Sequence, residues 1–197
     1  MSDATGTRRP GRPRSSEAHA AILGATLELA MEGGLRRLSM EAIAARAGVG
    51  KATIYRRWKT KEAIFAEAVR QIALTPEVPD TGSVRGDVEA TTAAVLGRMA
   101  PQAFRTIPRL LAEAGDDADL HEAMQAALLR PRKAAIRTIL RRGVARGELR
   151  ADLDIELVAD VMLGSAIARV LMAGGDTTGL AGLPLRVYDL MAAGIRR

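Results

Sequence analysis

Between Ser39 and Trp58 the chain reads SMEAIAARAGVGKATIYRRW, and few architectures accommodate that order of residues. Ser39 suits a helix N-cap, and Glu41 in the next turn complements the helix dipole. Met40, Ile43, Ala44 and Ala47 recur at helical spacing, which predicts a short helix over 40–46. Gly48 ends it where a tight turn demands positive φ. Val49 then faces inward, and a second short helix is predicted from Gly50 to about Trp58. Two short helices crossing steeply need a small residue at their closest approach, a glycine in the turn and an apolar anchor on the second helix. Ala44, Gly48 and Ile54 supply these at the offsets of a helix-turn-helix, whose second helix enters the major groove of DNA. Lys51, Ala52, Thr53, Tyr55, Arg56 and Arg57 are left on or near the free face of that helix, and they are groups that contact phosphates and base edges. Ser39 joins them as a candidate DNA contact.

The placement of charge agrees with a nucleic-acid partner. Residues 1–61 hold 12 Lys/Arg against 5 Asp/Glu, an excess of +7, whereas residues 62–197 hold 17 against 18, a balance of −1. A basic head on a near-neutral body suits a polyanion. Residues 1–14 read as a disordered basic arm, RRPGRPR at its core, with Arg8, Arg9, Arg12 and Arg14 as candidate DNA contacts. An extended Arg-Pro-Gly segment fits a narrow minor groove; the competing reading is a tail that attracts DNA of any sequence.

The remainder reads as all-α, about nine to ten helices in total. Aromatic residues are 3% of the 197, so the core is built from Ala, Leu, Ile, Val and Met, a palette that favours packed helices. A first helix runs from Ser15 or Ser16 to about Met31 and stops at Gly33-Gly34, and a helix over 61–74 follows the motif. Residues 75–82, TPEVPDTG, form a linker. Beyond it, helices are predicted over 83–99, 102–114, 117–129, 131–146, 155–173 and 183–195. Pro101 and Pro131 sit in first turns, and Pro108 kinks or splits its segment. The organisation is a basic arm (1–14), a three-helix DNA-binding domain with a connecting helix (15–74) and a helical bundle (83–197).

Several chemistries are excluded or weakened. With no cysteine there is no disulfide, thiolate metal site or thiol nucleophile, and the chain suits a reducing cytoplasm. No secretory signal opens the chain, and the apolar run 155–173 carries Glu156, Asp160 and Arg169, so it reads as a buried helix and no membrane partner is expected. No phosphate loop, nucleophile elbow or serine triad is present, so neither catalysis nor a cofactor is expected. An all-helical enzyme using the motif structurally is the reading from a different class. His19 reads as a surface or edge residue. His121 with Asp116, Asp117, Asp119 and Glu122 could hold a metal, but an acidic helix N-terminus is preferred and no metal is expected. The arginines between Arg130 and Arg146, Arg132 included, read as the solvated face of a helix whose apolar side is Ala135, Ile136, Ile139, Leu140 and Val144; a second nucleic-acid surface is the alternative.

Residues 16–68, and above all GVGKATIYRRWKTKEAIF, resemble the TetR family of bacterial transcriptional regulators. The resemblance implies that residues 50–58 are the recognition helix, with Lys51, Ala52, Thr53 and Arg57 at positions that can touch bases. Tyr55 and Arg56 fall at phosphate or sugar positions, Lys61 at a backbone-gripping lysine, and Trp58 packs between helices. It also implies a homodimer on a pseudo-palindromic operator, usually a repressor, with a small-molecule effector in the C-terminal bundle. Candidate lining residues are Met99, Phe104, Ile107, Leu111, Met124, Leu128 and Met162, and the low polar content there suggests an apolar effector. The helices over 155–173 and 183–195, with the small residues Gly164, Ser165 and Ala168, are the expected dimer interface. The nearest alternative keeps DNA binding and has no small-molecule effector.

Overall fold

A chain this poor in aromatic residues buries its apolar side chains between helices. The computed structural model describes residues 14–73, 77–98, 103–115, 117–172 and 179–195. Over them run ten α-helices: α1 (Arg14–Gly33), α2 (Met40–Arg46), α3 (Lys51–Tyr55), α4 (Lys61–Ala73), α5 (Val84–Arg98), α6 (Ala103–Ala114), α7 (Ala118–Met124), α8 (Arg130–Ala145), α9 (Ile155–Met172) and α10 (Leu183–Ile195). The all-α fold expected from the sequence is the observed one. Expected caps do hold helix ends. Ser39 Oγ accepts from the Ala42 N–H at 3.1 Å, Thr60 Oγ1 from Ala63 at 3.2 Å and Asp154 Oδ1 from Leu157 at 3.0 Å. Asp117 Oδ1 caps α7 by accepting from Asp119 and Leu120.

Three features depart from the sequence pattern. Residues 118–145 form one continuous helix in place of two, with a π turn (Gln125–Leu129) between α7 and α8. Pro131 is therefore inside a helix. Its ring lacks the N–H that would bond the Ala127 carbonyl, and the wider π turn immediately before it makes room where a regular α-turn would clash. Second, α6 is not split at Pro108, although that residue lies in the middle of the helix. Third, Leu35–Arg37 form a 3₁₀ turn. Gly34, at φ +73°, turns the chain out of α1, and the Leu35 N–H donates to Glu113 Oε2 of α6 at 2.8 Å.

Two apolar cores organise the helices. The first gathers Ile22 and Leu23 of α1, Ile43 of α2, Ile54 of α3 and Ile64 and Phe65 of α4 with Leu110 of α6 and Leu120 and Met124 of α7. Helix α4 packs against α1 on one side and against α7 and the π turn on the other. The second joins α5, α8, α9 and α10 through Val84, Ile139, Leu140, Val158 and Tyr188. Most basic side chains of α8 are matched by acids: Arg130 with Glu122 at 2.6 Å, Lys133 with Asp160 at 2.5 Å, Arg137 with Glu156 at 2.6 Å. A face neutralised in this way offers little field to a polyanion, which weighs against a second nucleic-acid surface.

Asp87 of α5 is a fully buried charged residue. Burial alone would raise its pKa. Thr81 opposes this by donating from both N–H and Oγ1 at 2.7 Å, as does Arg146 Nη2 at 3.4 Å, and the carboxyl lies below its ordinary value. A carboxyl with a depressed folded pKa stabilises the fold above its unfolded pKa of about 3.9, and the contribution fades as pH falls through the folded value. Asp87→Asn is expected to lower stability at pH 7 by about 1–3 kcal/mol, the cost of disrupting a buried hydrogen-bonded charge. The penalty should shrink towards pH 3. Urea titrations at the two pH values check this, and equal losses at both would show that shape rather than charge matters at this position.

Candidate nucleic-acid interface and effector cavity

The turn between α2 and α3 closes as a Schellman motif. Gly48 has φ +65°, its N–H bonds the Ala45 carbonyl at 3.3 Å, and the Val49 N–H reaches back to Ala44 at 3.0 Å. Val49 is then packed against the first core, as the motif's hydrophobic contact requires. Ala44, Ile54 and Trp58 are buried, so the short α3 is held from beneath by its apolar side. Beyond α3, Trp58 ties three segments together. Its Nε1 donates to Glu67 Oε2 of α4 at 2.7 Å. The His19 ring of α1 stacks on it with centroids 5.3 Å apart, and His19 Nε2 meets Glu67 Oε1 at 3.2 Å. His19 is thus a half-buried residue at the edge of the helix, and its ring packs on Trp58.

Lys51, Ala52, Tyr55, Arg56 and Arg57 are exposed, while Thr53 and Lys61 are half-buried. Ala52 with Tyr55 and Arg56, spaced three and four apart, share one face of the helix. Lys51 Nζ lies 2.9 Å from Glu41 Oε1 of α2, and this hydrogen bond holds Glu41 below its ordinary pKa. Lys61 Nζ is 3.8 Å from Glu62. Arg46 is directed elsewhere: it grips Glu32 and Glu28 of α1 at 2.7 and 3.3 Å and so pins α2 to α1. Ser39 is half-buried and uses its Oγ as the α2 cap. Arg8, Arg9 and Arg12 lie outside the described residues, as does the side chain of Arg14.

A cavity of about 190 Å³ opens among α5, α6, α8 and α9. Ile107, Leu111, Leu128 and Met162 line it. Met124 does not: it is 1% exposed and packed in the first core, because α7 turns that face towards α4. Met99 and the Phe104 side chain lie outside the described residues. The sequence pattern missed the polar part of the wall, Thr91 and Thr92 of α5 and Arg132 of α8. Arg132 is not on a solvated face. Its signal was present, since it precedes Ala135, Ile136 and Ile139 by three, four and seven residues, the spacing of a shared helix face. Burial pushes the Arg132 guanidinium down to about 10. No helix among the described residues is long and apolar enough to cross a membrane.

Comparison with known proteins agrees with this geometry. Residues 22–68 match the model of the tetR family of bacterial regulatory proteins, and residues 78–179 match that of a tetracyclin repressor-like C-terminal domain. The chain is 36% identical over 168 residues to the uncharacterized HTH-type transcriptional regulator YdeS of Bacillus subtilis, covering 84% of each chain. The chain belongs to the TetR family.

A further TetR-family relative is the DNA-binding transcriptional repressor TetR of Mycobacteroides abscessus, 33% identical over 82% of this chain and 86% of that one. The fold matches the crystal structure of full-length TylP, a TetR regulator from Streptomyces fradiae, with a TM-score of 0.65 at 24% identity over 94% of this chain and 89% of that one. As a TetR-family member the chain is a helix-turn-helix regulator of transcription, and its Gly48 turn sets the angle of α3. A Cβ at Gly48 would meet nothing within 4 Å, so the conformation alone opposes substitution. Gly48→Ala is expected to cost about 1–2 kcal/mol from left-handed strain. Gly50→Ala, in equally open space at φ −72°, is expected to cost much less. Equal losses in urea unfolding would show that the handedness of the turn is not the constraint.

Proposed function

We propose that this TetR-family regulator is a homodimeric repressor that leaves a pseudo-palindromic operator when a small molecule enters the α5–α6–α8–α9 cavity. The observation that carries the reading is the sharing of residues between cavity and head. Ile107 of α6 and Leu128 of the π turn belong to the cavity wall and to the first core, which also contains the helix-turn-helix. Glu113, on the same α6, holds the Leu35 N–H at the junction of α1 and α2. A molecule that displaces α6 therefore acts on the base of the DNA-binding head, which is the differential contact an effector needs.

On the DNA, α3 serves as the recognition helix. Thr53 with Lys51, Ala52 and Arg57 faces base edges, while Tyr55, Arg56 and Lys61 grip the backbone and the arginines of the arm follow the minor groove. Ser39 sits where the start of α2 meets the phosphates. The reading as a regulator without catalytic activity follows the names of its relatives. Dimer formation is supported by an unpartnered apolar stripe. Leu157 and Val161 of α9 are 59% and 43% exposed, and Leu190 of α10 is 83% exposed. On α9 the exposed Gly164 and Ala168 continue that stripe and permit close approach of a second copy's helices.

Two measurements test these assignments. Arg56→Ala is expected to weaken binding to all duplexes alike and to reduce the slope of log K against log salt by about one, whereas Thr53→Ala relaxes sequence preference by about 1–3 kcal/mol with the slope unchanged. Fluorescence-anisotropy titrations over a salt series separate the two, and identical behaviour of both variants would overturn the division into backbone and base contacts. Leu190→Glu is expected to convert the dimer to monomer in sedimentation-velocity runs at micromolar concentration. A variant that stays dimeric would move the interface away from α10.

A further inference from the structure

The wall of the cavity is apolar over most of its area, with Ile136, Ile139 and Met162 among its aliphatic residues. Thr92 Oγ1 is spent on the Val88 carbonyl at 2.7 Å, and two further polar features interrupt the wall. Thr91 Oγ1 is buried and has no hydrogen-bond partner among the described residues. A hydroxyl in that condition is costly to bury and is satisfied when a polar group of a ligand reaches it. The second feature is Arg132. Its Nη1 donates to the Leu128 carbonyl one turn back at 3.4 Å, a contact that leaves the positive charge in place within the wall. No Asp or Glu is among the described residues lining the cavity.

We propose that the ligand of this cavity is an amphipathic acid, with a compact apolar body against the α8–α9 wall and one carboxylate that meets Arg132 and receives the Thr91 hydroxyl. This rests on the effector reading above and specifies its chemistry. A guanidinium in apolar surroundings attracts an anion far more strongly than one in water, and its planar fork matches a carboxylate in a two-point contact. The apolar remainder of the wall has no use for further polar groups, so the acid is monofunctional. Size follows from volume. A dry cavity of about 150 Å³ accepts benzene, so one of about 190 Å³ accepts a single ring or a short chain with its head group. The burial that depresses the Arg132 pKa is also relieved when an anion arrives.

The test uses the full-length protein with octanoate and 3-phenylpropionate as probes and octan-1-ol and 3-phenylpropan-1-ol as neutral counterparts, in calorimetric titrations at pH 7. At least one acid is expected to bind tenfold or more tightly than its alcohol. Arg132→Met, which keeps a long apolar stem, is expected to remove that preference, and Thr91→Val to weaken the acid several-fold while leaving the alcohol unchanged. Arg132→Lys, which keeps the charge and loses the fork, should retain part of the preference, and circular dichroism verifies that each variant is folded. Alcohols binding as well as acids, or a preference that survives Arg132→Met, would overturn the proposal, as would failure of both acids to bind. Release of a duplex selected from a random library is measured in parallel. An alcohol that releases DNA while the acids do not would leave the effector reading intact and end this one. An acid that binds through Arg132 without releasing DNA would confirm the ligand class and end the effector reading.

Discussion

The burial of α4 between the DNA-binding head and the bundle is the constraint on which the other features depend. Ile64 and Phe65 are fully buried in a core that also holds side chains of α1, α2 and α3 and of α6 and α7. Fully burying side chains of this kind stabilises by about 1.5–3 kcal/mol each, so the head does not hang from a flexible tether but is welded to the bundle through shared apolar contacts. Trp58 strengthens the weld from above. Its ring stacks on His19 and its N–H is satisfied by Glu67, so α1, the segment after α3 and α4 are tied together.

In the effector reading proposed above, rigidity of that kind is what would carry a change in the bundle to the head. Here α6 carries cavity-lining residues on one face and Glu113 on another, with Leu35 of the head as its partner. The electrostatics are divided along the same lines. On α8 Arg130, Lys133 and Arg137 are matched by acids on α7 and α9, whereas the exposed Arg56 and Arg57 lie where the chain carries its net positive charge. Long-range attraction of a polyanion is thereby confined to the head, and the bundle contributes packing and a cavity.

Much of this was legible in the residues themselves. The Ala44–Gly48–Ile54 spacing named the motif, and the caps at Ser39, Thr60 and Asp154 placed helix starts within a residue or two, because each depends on contacts within one turn of chain. The failures share one cause. Pro131 reads as a helix start, yet neighbouring helices hold residues 118–145 together and a π turn absorbs the misfit. Met124 reads as a cavity residue and belongs to the core beneath α4; Arg132 reads as part of a solvated face and lines the cavity. Periodicity shows that a residue lies on an apolar face but not what lies opposite it.

By itself, then, the sequence determined the helical class, the turn that sets α3 at its angle and the basic character of the head, since these arise from spacing, backbone conformation and charge count. Only the tertiary structure decided that α4 is shared by two halves of the molecule, that an arginine and a threonine with an unpartnered hydroxyl are among the residues lining a largely apolar cavity, and that α6 touches both that cavity and the DNA-binding head. These are relations between segments far apart in the chain. They are fixed by which surfaces exclude water together, and that is settled only when all the helices pack at once.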